Sequence, residues 1–194
     1  MAKSKGLTFI QKKKRIKKAH IKELLIFIFS VSVTVFLAFV LNYTFGIRTS
    51  VIGVSMEPIL YNGQEVLIDR LVYQLTAPKK GDVIVFLPNG NPNSHFYLKR
   101  VVAVPGEAVQ IVGGYLYVND ILYDEDDSFD KMEDAGIAGN KIILRSDEFF
   151  VLGDNRNNSE DSRSGNIGVV SRDVITGKAW FKMPIDAEKM GLIE

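Results

Sequence analysis

The chain has 194 residues, enough for one folded domain with appendages, and it contains no cysteine, which excludes disulfide bonds, thiolate metal sites and a cysteine nucleophile. Its net charge of +1 conceals a strong asymmetry. Residues 1–23 carry nine Lys and Arg against one Glu, a net +8, so the remaining residues carry −7. The net positive charge is therefore confined to the beginning of the chain.

The basic segment runs directly into Leu24 to Ile47, a stretch of 24 residues without a charged side chain. As a helix it would be about 36 Å long, which is enough to span a bilayer with some tilt. By the positive-inside rule, residues 1–23 are predicted to be a cytoplasmic segment, 24–47 a transmembrane helix and 48–194 an extracytoplasmic domain. The basic block thus indicates membrane orientation and does not favour nucleic-acid binding.

A cleavable secretory signal peptide is the alternative interpretation of this segment. Its apolar core is normally about 7–15 residues long and ends at small residues. Here the apolar run is longer, and it ends in Asn42-Tyr43-Thr44-Phe45-Gly46-Ile47, whose aromatic side chains suit a membrane interface. An uncleaved membrane anchor is therefore expected.

Residues 48–194 are predicted to form a mostly β domain, because β-branched and alternating runs recur between Gly, Pro and Asn residues. Gly113-Gly114 and Asn119-Asp120 each separate two such runs and predict tight hairpin turns. Arg48 to Gly53 is predicted to be a linker, and the acidic segment 124–140 a solvated, mobile loop. The predicted strands are Glu65 to Asp69, Asp82 to Leu87, Tyr97 to Val104, Ala108 to Val112, Tyr115 to Val118, Lys141 to Leu144, Phe149 to Leu152 and Val174 to Phe181.

Ser55 is a candidate nucleophile in the segment Gly53-Val54-Ser55-Met56-Glu57-Pro58. Pro58 disfavours helix at the preceding residue, and Gly53 lets the backbone approach a ligand closely. A serine in such a turn is more often structural, with its hydroxyl closing the turn. Catalysis requires a base, so the other polar residues decide between the two interpretations.

Lys99 is the candidate base. It lies in the predicted strand Tyr97 to Val104 among apolar residues, where desolvation would lower its pKa and keep the amine neutral. The simpler alternative is an edge-strand lysine with its ammonium in water. His20 precedes the anchor, and His95 lies in a loop whose composition predicts exposure, so a Ser-His-Asp triad is not favoured.

A polar segment, Gly153 to Arg163, follows the predicted strand that ends at Leu152. Four of its residues form a charge-matched cluster able to rigidify a loop, namely Asp154, Arg156, Asp161 and Arg163. Ser159 or Ser162 could hold a lysine amine by a hydrogen bond. Such a segment can also be an ordinary solvated loop whose Asp and Asn side chains cap backbone groups.

Taken together, these segments resemble the type I signal peptidases, membrane serine proteases that remove signal peptides from exported proteins, in their short single-anchor form. The resemblance covers nearly the whole chain. It rests on the anchor, Ser55-Met56-Glu57-Pro58, Gly81 to Phe86, Lys99-Arg100-Val101 followed after three residues by Pro105-Gly106, and Gly153 to Arg163.

The resemblance implies a β domain of the signal peptidase type in which Ser55 is the nucleophile and Lys99 the general base. It further implies that Ser159 orients the lysine amine and that Asp161 and Arg163 form a supporting ion pair. The oxyanion hole would use the N–H of Ser55 and a second donor near Gly53.

The expected substrates are the signal peptides of secretory preproteins. The resemblance implies that they bind as an extended strand, with small residues at the first and third positions before the cut. The lipid bilayer is the other expected partner, and no metal, organic cofactor or nucleic acid is expected.

Two other classes are compatible with parts of the chain. A self-cleaving repressor would share the Ser/Lys chemistry but would not need a bilayer anchor eight residues before its serine. A noncatalytic, membrane-tethered assembly factor with the same fold would keep its function when Ser55 is replaced, and loss of cleavage separates it from a peptidase.

Overall fold

The computed structural model describes residues 18–45, 47–123, 129–185 and 189–193. The first element, α1, is a helix from Lys18 to Phe45. Within the described residues it is the one helix long and apolar enough to cross a membrane, with a candidate span of His20–Tyr43 and a mean hydropathy of 2.9. The basic residues 1–17 lie outside the described residues.

The hydroxyl groups in the middle of α1 are satisfied within the helix. Ser30 and Ser32 donate hydrogen bonds to the carbonyl oxygens of Ile26 and Ile28, at 2.9 and 2.8 Å. Thr34 donates to the carbonyl of Ser30 at 3.0 Å. An apolar surrounding offers no water to such groups, so this internal bonding makes α1 compatible with a lipid interior.

The rest of the described chain is mostly antiparallel β, as predicted. One sheet has the strand order β1-β2-β11-β3-β4-β9-β10, with β12 paired to β11, and the second has the order β7-β6-β5-β8. The strands are β1 Ile47–Ser50, β2 Glu65–Asp69, β3 Val83–Phe86, β4 Tyr97–Ala103, β5 Ala108–Val112, β6 Tyr115–Val118, β7 Ile121–Leu122, β8 Ile142–Ile143, β9 Glu148–Leu152, β10 Val170–Ser171, β11 Ile175–Lys182 and β12 Gly191–Leu192.

The first sheet is buried on both faces in its centre. Along β3, Val83 and Val85 pack into one apolar cluster, whereas Ile84 and Phe86 pack into another. Alternate residues of a strand point to opposite faces, so this division follows from the pleat. The four-residue helix α2, Val72–Leu75, contributes the buried Tyr73 to the second cluster. The packing on both faces of the sheet thus holds β4, and the side chains on it, in position.

The two predicted hairpin turns are confirmed. Val112 pairs with Tyr115 across Gly113 and Gly114, whose φ angles are 59° and 84°. Val118 pairs with Ile121 across Asn119 and Asp120, which also have positive φ angles of 55° and 64°. Turns with two left-handed residues match the natural twist of a hairpin, which explains why Gly and Asn-Asp occupy these positions.

Two sequence-based expectations about the connections differ from the structure. The expected linker begins as a strand, because β1 pairs with β2 from Ile47 to Ser50. The segment 129–140 is mostly exposed, as expected, but it is anchored to the domain: Met132 and Ala138 are buried in the core of the second sheet, and Gly136–Gly139 forms a 3-10 turn. Residues 124–128 of the expected loop lie outside the described residues.

Gly177 in β11 leads to a prediction about stability. A Cβ at this position would lie 2.5 Å from the carbonyl oxygen of Asp69 and 2.8 Å from a side-chain carbon of Ile68. We expect Gly177→Ala to destabilise the domain by about 1–3 kcal/mol, because β2 and β11 must separate to relieve the overlap. Thermal unfolding followed by the fluorescence of Trp180, the single tryptophan, measures the change.

Gly191→Ala is the matched control, since a Cβ there meets no atom within 4 Å. It should leave the unfolding midpoint nearly unchanged. Equal midpoints for the two variants would contradict the proposed close approach of β2 and β11.

Candidate active site

Ser55 lies in a turn formed by residues 53–60, which we call the serine turn, and the ends of this turn are anchored in the core. The N–H of Val51 donates to the carbonyl of Gln64, and the N–H of Leu60 donates to the carbonyl of Met56, both at 2.8 Å. Met56 and Leu60 are fully buried. The side chains beside the serine therefore fix the turn, while Ser55 itself remains partly accessible.

Lys99 lies in β4, between β3 and β9, opposite Ile84. Its side chain is almost completely buried, and only 3% of the residue is exposed. The Nζ atom donates a hydrogen bond of 2.6 Å to the Oγ of Ser55. The two residues predicted from the sequence as nucleophile and base are therefore in direct contact, although 44 positions separate them in the chain.

The surroundings of Lys99 change its protonation. Burial lowers the pKa of Lys99 from its usual 10.5 to about 8, because desolvation disfavours the charged ammonium. The nearby carboxylates of Asp161, Glu160 and Asp154 act in the opposite direction, and Arg163 lowers the pKa slightly further. A substantial fraction of the amine is therefore neutral at mildly alkaline pH.

Asp161 and Arg163 form the ion pair expected from the sequence. The Arg163 Nε and Nη2 atoms donate to the two carboxylate oxygens of Asp161, each at 2.9 Å. Both residues are buried, and Asp161 also accepts a hydrogen bond from the N–H of Gly153 at 3.1 Å. This bidentate pair joins the two ends of the polar loop, which we define as residues 153–163.

A second bidentate pair, between Arg100 and Asp154, was not predicted. Arg100 donates to both carboxylate oxygens of Asp154 at 2.7 and 2.8 Å, and to the carbonyl of Gly81 at 2.8 Å. The sequence placed Asp154 in a cluster with Arg156, but Arg156 instead stacks over the ring of Phe129 and donates to the carbonyl of Gly153. The sequence did contain a signal for a separate partner of Arg100. Arg100 directly follows Lys99 in a predicted strand, so its side chain points to the opposite face of the sheet.

The polar loop also bonds directly to the serine turn. The backbone N–H of Asn155 donates to the carbonyl of Ser55 at 3.1 Å, and its side-chain amide donates to the carbonyl of Val54 at 3.2 Å. A Cβ on Gly153 would lie 2.5 Å from that same Ser55 carbonyl. Asn155 is thus a positioning residue that the sequence analysis did not single out, although it lies inside the Gly-Asp-Asn-Arg segment.

Ser159 does not contact the lysine amine in this structure. Its Oγ is buried and has no hydrogen-bond partner among the described residues. The atom lies against Gly153, where a Cβ would approach it to 2.2 Å. The structure therefore brings Ser159 beside the site without forming the expected hydrogen bond.

The two expected oxyanion donors differ in their availability. The N–H of Gly53 donates to the Oδ1 of Asn62 at 2.8 Å, so this amide is already occupied. Among the described residues, no acceptor faces the N–H of Ser55. Gly53 has a φ of +83°, and a Cβ there would meet no atom within 4 Å, so the space above this residue is open.

A cleft of about 260 Å³ opens in front of the dyad. Residues 51–56 form one wall and residues 95–99 the other, and Asn158 and Glu160 complete it. His95 lines this cleft but is exposed, and the hydroxyl of Ser55 is bonded to Lys99. Residues 97–99 of one wall belong to the strand β4, whereas residues 53–56 of the other wall form bends and a turn, so the cleft offers a strand on one side to a peptide in extended conformation.

Comparison with known proteins identifies the same family throughout. The chain matches the family of signal peptidases, peptidase S26, over residues 21–183. It is 31% identical to signal peptidase IB of Staphylococcus aureus over 176 residues, which covers 83% of this chain and 90% of the relative. Signal peptidase I P of Bacillus subtilis subsp. natto is 32% identical over 132 residues, covering 64% of this chain and 70% of that protein.

A crystal structure of a signal peptidase I from Enterococcus faecalis is also similar. It is 26% identical in sequence, with a TM-score of 0.40, and the match covers 53% of this chain and 97% of that one.

Proposed function

This chain belongs to the type I signal peptidases of peptidase family S26, and on that premise we propose that it cleaves signal peptides from exported preproteins with Ser55 as nucleophile and Lys99 as general base. The observation that supports the dyad is the 2.6 Å contact between the Lys99 Nζ and the Ser55 Oγ inside a buried environment. Family membership makes the protein a serine peptidase, and the contact supports the proposal of these two roles.

The mechanism begins with neutral Lys99. As the Ser55 Oγ attacks the scissile carbonyl carbon, its proton moves along the short contact to the lysine Nζ, and the carbonyl oxygen becomes an oxyanion. The lysine then gives this proton to the departing amine, which leaves an acyl-enzyme ester on Ser55. Water attacks the ester while Lys99 accepts one of its protons, and Lys99 then returns this proton to the departing Ser55 Oγ, which releases the cleaved signal peptide with a free carboxyl terminus and restores the serine hydroxyl.

The N–H of Ser55 is the proposed first donor to the oxyanion, since it faces no other acceptor. For Gly53 to be the second donor, its N–H would have to exchange Asn62 for the substrate. Because the hydrogen bond between Gly53 and Asn62 would first have to break, we assign Gly53 chiefly the role of leaving space for the substrate backbone.

Four residues of the polar loop are proposed as positioning residues. The Asp161–Arg163 pair joins the two ends of the loop, and the loop in turn holds the serine turn through Asn155. Ser159 is the proposed partner of the lysine amine after the Ser55 proton has moved, because its Oγ atom is buried beside the site and has no hydrogen-bond partner among the described residues.

The substrate is proposed to lie in the cleft as an extended strand, hydrogen-bonded to the backbone of residues 52–54 and 96–98. Small residues at the first and third positions before the cut fit this arrangement, because both point toward the same wall.

The domain arrangement and location are part of the proposal. Helix α1 is a candidate membrane span, and the nine basic residues before position 23 favour a cytoplasmic N-terminus. We therefore propose a single-pass membrane protein with a cytoplasmic segment at 1–23, a span within 24–47 and the catalytic domain at 48–194 outside the cytoplasm.

Substitution of the dyad is the direct test. Ser55→Ala and Lys99→Ala should each lower kcat/KM for a preprotein by on the order of 10³-fold or more, because nucleophile and base act in the same step. His95→Ala should keep most of the activity. Processing by the purified chain in detergent measures the rates, and circular dichroism verifies folding.

Unchanged turnover by a folded Lys99→Ala variant would remove the proposed base and make His95 the candidate. Unchanged function of Ser55→Ala in cells would favour the noncatalytic assembly factor.

Activity should rise with pH, because protonated Lys99 cannot accept the serine proton. With a pKa of about 8, kcat/KM should fall about tenfold per pH unit well below 8 and level off above it. Hydrolysis of a quenched fluorescent peptide between pH 6 and 10 gives the profile. A limb near pH 6.5 that disappears in His95→Ala would contradict the lysine mechanism.

Orientation is tested by limited proteolysis of intact protoplasts. Protease added outside should digest the β domain and leave a small anchored N-terminal fragment, detected through an N-terminal tag. Lysed cells, in which both sides are accessible, are the control. Protection of the domain in intact protoplasts would invert the proposed topology.

A further inference from the structure

The wall of the cleft carries an exposed carboxylate that the proposed mechanism does not use. Glu160 lines the cleft beside Asn158 and the residues of β4. Its Oε1 accepts a hydrogen bond of 3.2 Å from the side chain of Asn166. Its Oε2 lies 3.5 Å from the hydroxyl of Tyr97. Both neighbours are neutral, so they orient the carboxylate without neutralising it.

The other two carboxylates of the polar loop, unlike that of Glu160, are paired with positive charges. Asp154 and Asp161 are buried, and each is matched by a bidentate arginine. Among the described residues, no Lys, Arg or His forms an ion pair with Glu160. Glu160 therefore brings an uncompensated negative charge to the surface that a substrate would touch.

The position of Glu160 relative to the dyad follows from the geometry of β4. Tyr97 and Lys99 are two residues apart in a strand, so their side chains leave the same face, and the Lys99 Nζ lies 5.6 Å from the centre of the Tyr97 ring. Glu160 contacts the hydroxyl end of that ring. A side chain of a bound peptide that passes over Tyr97 close to the cut consequently meets the carboxylate.

We propose that Glu160 is a specificity-determining residue that selects substrates by charge, favouring Lys or Arg and disfavouring Asp or Glu next to the scissile bond. This inference rests on the proposed function and deepens it. The small residues at the first and third positions before the cut face one side of an extended peptide. The second position before the cut and the first after it face the other side, and these are the positions at which charge is read.

A competing explanation is that Glu160 only supports the loop through Asn166 and Tyr97. Glu160→Gln separates the two explanations, because the amide oxygen still accepts hydrogen bonds while the charge is lost. Glu65→Gln is the matched control: Glu65 is exposed in β2, and it does not line the cleft.

The experiment compares peptides that are identical except for Lys, Gln or Glu at one of the two positions. For the unsubstituted chain, we expect the Lys peptide to be cleaved with a kcat/KM about three- to tenfold above that of the Glu peptide, as for one exposed charge at short range. Glu160→Gln should bring this ratio near one, Glu160→Lys should invert it, and Glu65→Gln should leave it unchanged. The ratio should also shrink at about 1 M salt, where the Debye length is near 3 Å.

A ratio is the right readout because Glu160 also acts on the base. Its charge, with those of Asp161 and Asp154, raises the pKa of Lys99, while burial and Arg163 lower it. Removing the Glu160 charge therefore changes the rate for every peptide at a given pH. That change cancels when two peptides are compared with the same variant.

The outcomes distinguish this inference from the proposed function. If no peptide is cleaved by the unsubstituted chain, the proposed function fails. If the Gln peptide is cleaved but Lys and Glu peptides react equally, or if Glu160→Gln keeps the preference, charge selection by Glu160 is overturned while the dyad stands. Should Glu160→Lys fail to fold, Glu160→Gln alone decides.

Discussion

Burial of one amine is the constraint on which the rest of this structure depends. A lysine with 3% exposure is costly to keep charged, and its pKa falls to about 8 for that reason. Between pH 10.5 and 8 the unfolded chain binds a proton that the folded chain does not, so the folded state loses stability as the pH falls through this range. The central strands on both sides of β4 supply the packing that offsets this cost.

The same constraint explains the arrangement of the polar loop. Burial lowers the pKa of Lys99, whereas the carboxylates near it favour the ammonium form and raise that pKa. Asp154 and Asp161 are instead directed into bidentate pairs with Arg100 and Arg163, whose positive charges compensate theirs. The loop can thus be rigidified by buried ion pairs without removing the neutrality of the base.

Much of this could be predicted from the sequence, because strands and turns leave local signals. The hairpins at Gly113-Gly114 and Asn119-Asp120 require positive φ, and only a few residue types provide it. The two-residue strands β7, β10 and β12 are too short for alternation to be visible. The anchoring of the segment 129–140 could not be predicted, because only Met132 and Ala138 are buried in the core and the surrounding residues are mostly polar or small.

At the site, the reacting residues could be predicted from the sequence, but the hydrogen bonds that position them could not. Ser55 and Lys99 were predicted from residue type and company, and the structure brings them together. The partner of Arg100 depends on which strand lies next to β4, which is a property of the tertiary fold. The same is true of Asn62, whose side chain occupies the N–H of Gly53 across nine residues of turn. Such tertiary contacts leave no pattern in the local sequence from which they could be predicted.

Gly153 shows what a missing side chain can specify. Its Cα lies so close to both the Ser55 carbonyl and the Ser159 hydroxyl that a single methyl group would overlap each of them. The glycine therefore acts as a spacer of minimum thickness between two loops about 100 positions apart in the chain. The position of the Ser55 nucleophile is thus constrained by a residue outside the serine turn, because Gly153 has no Cβ and lets the two segments approach each other closely.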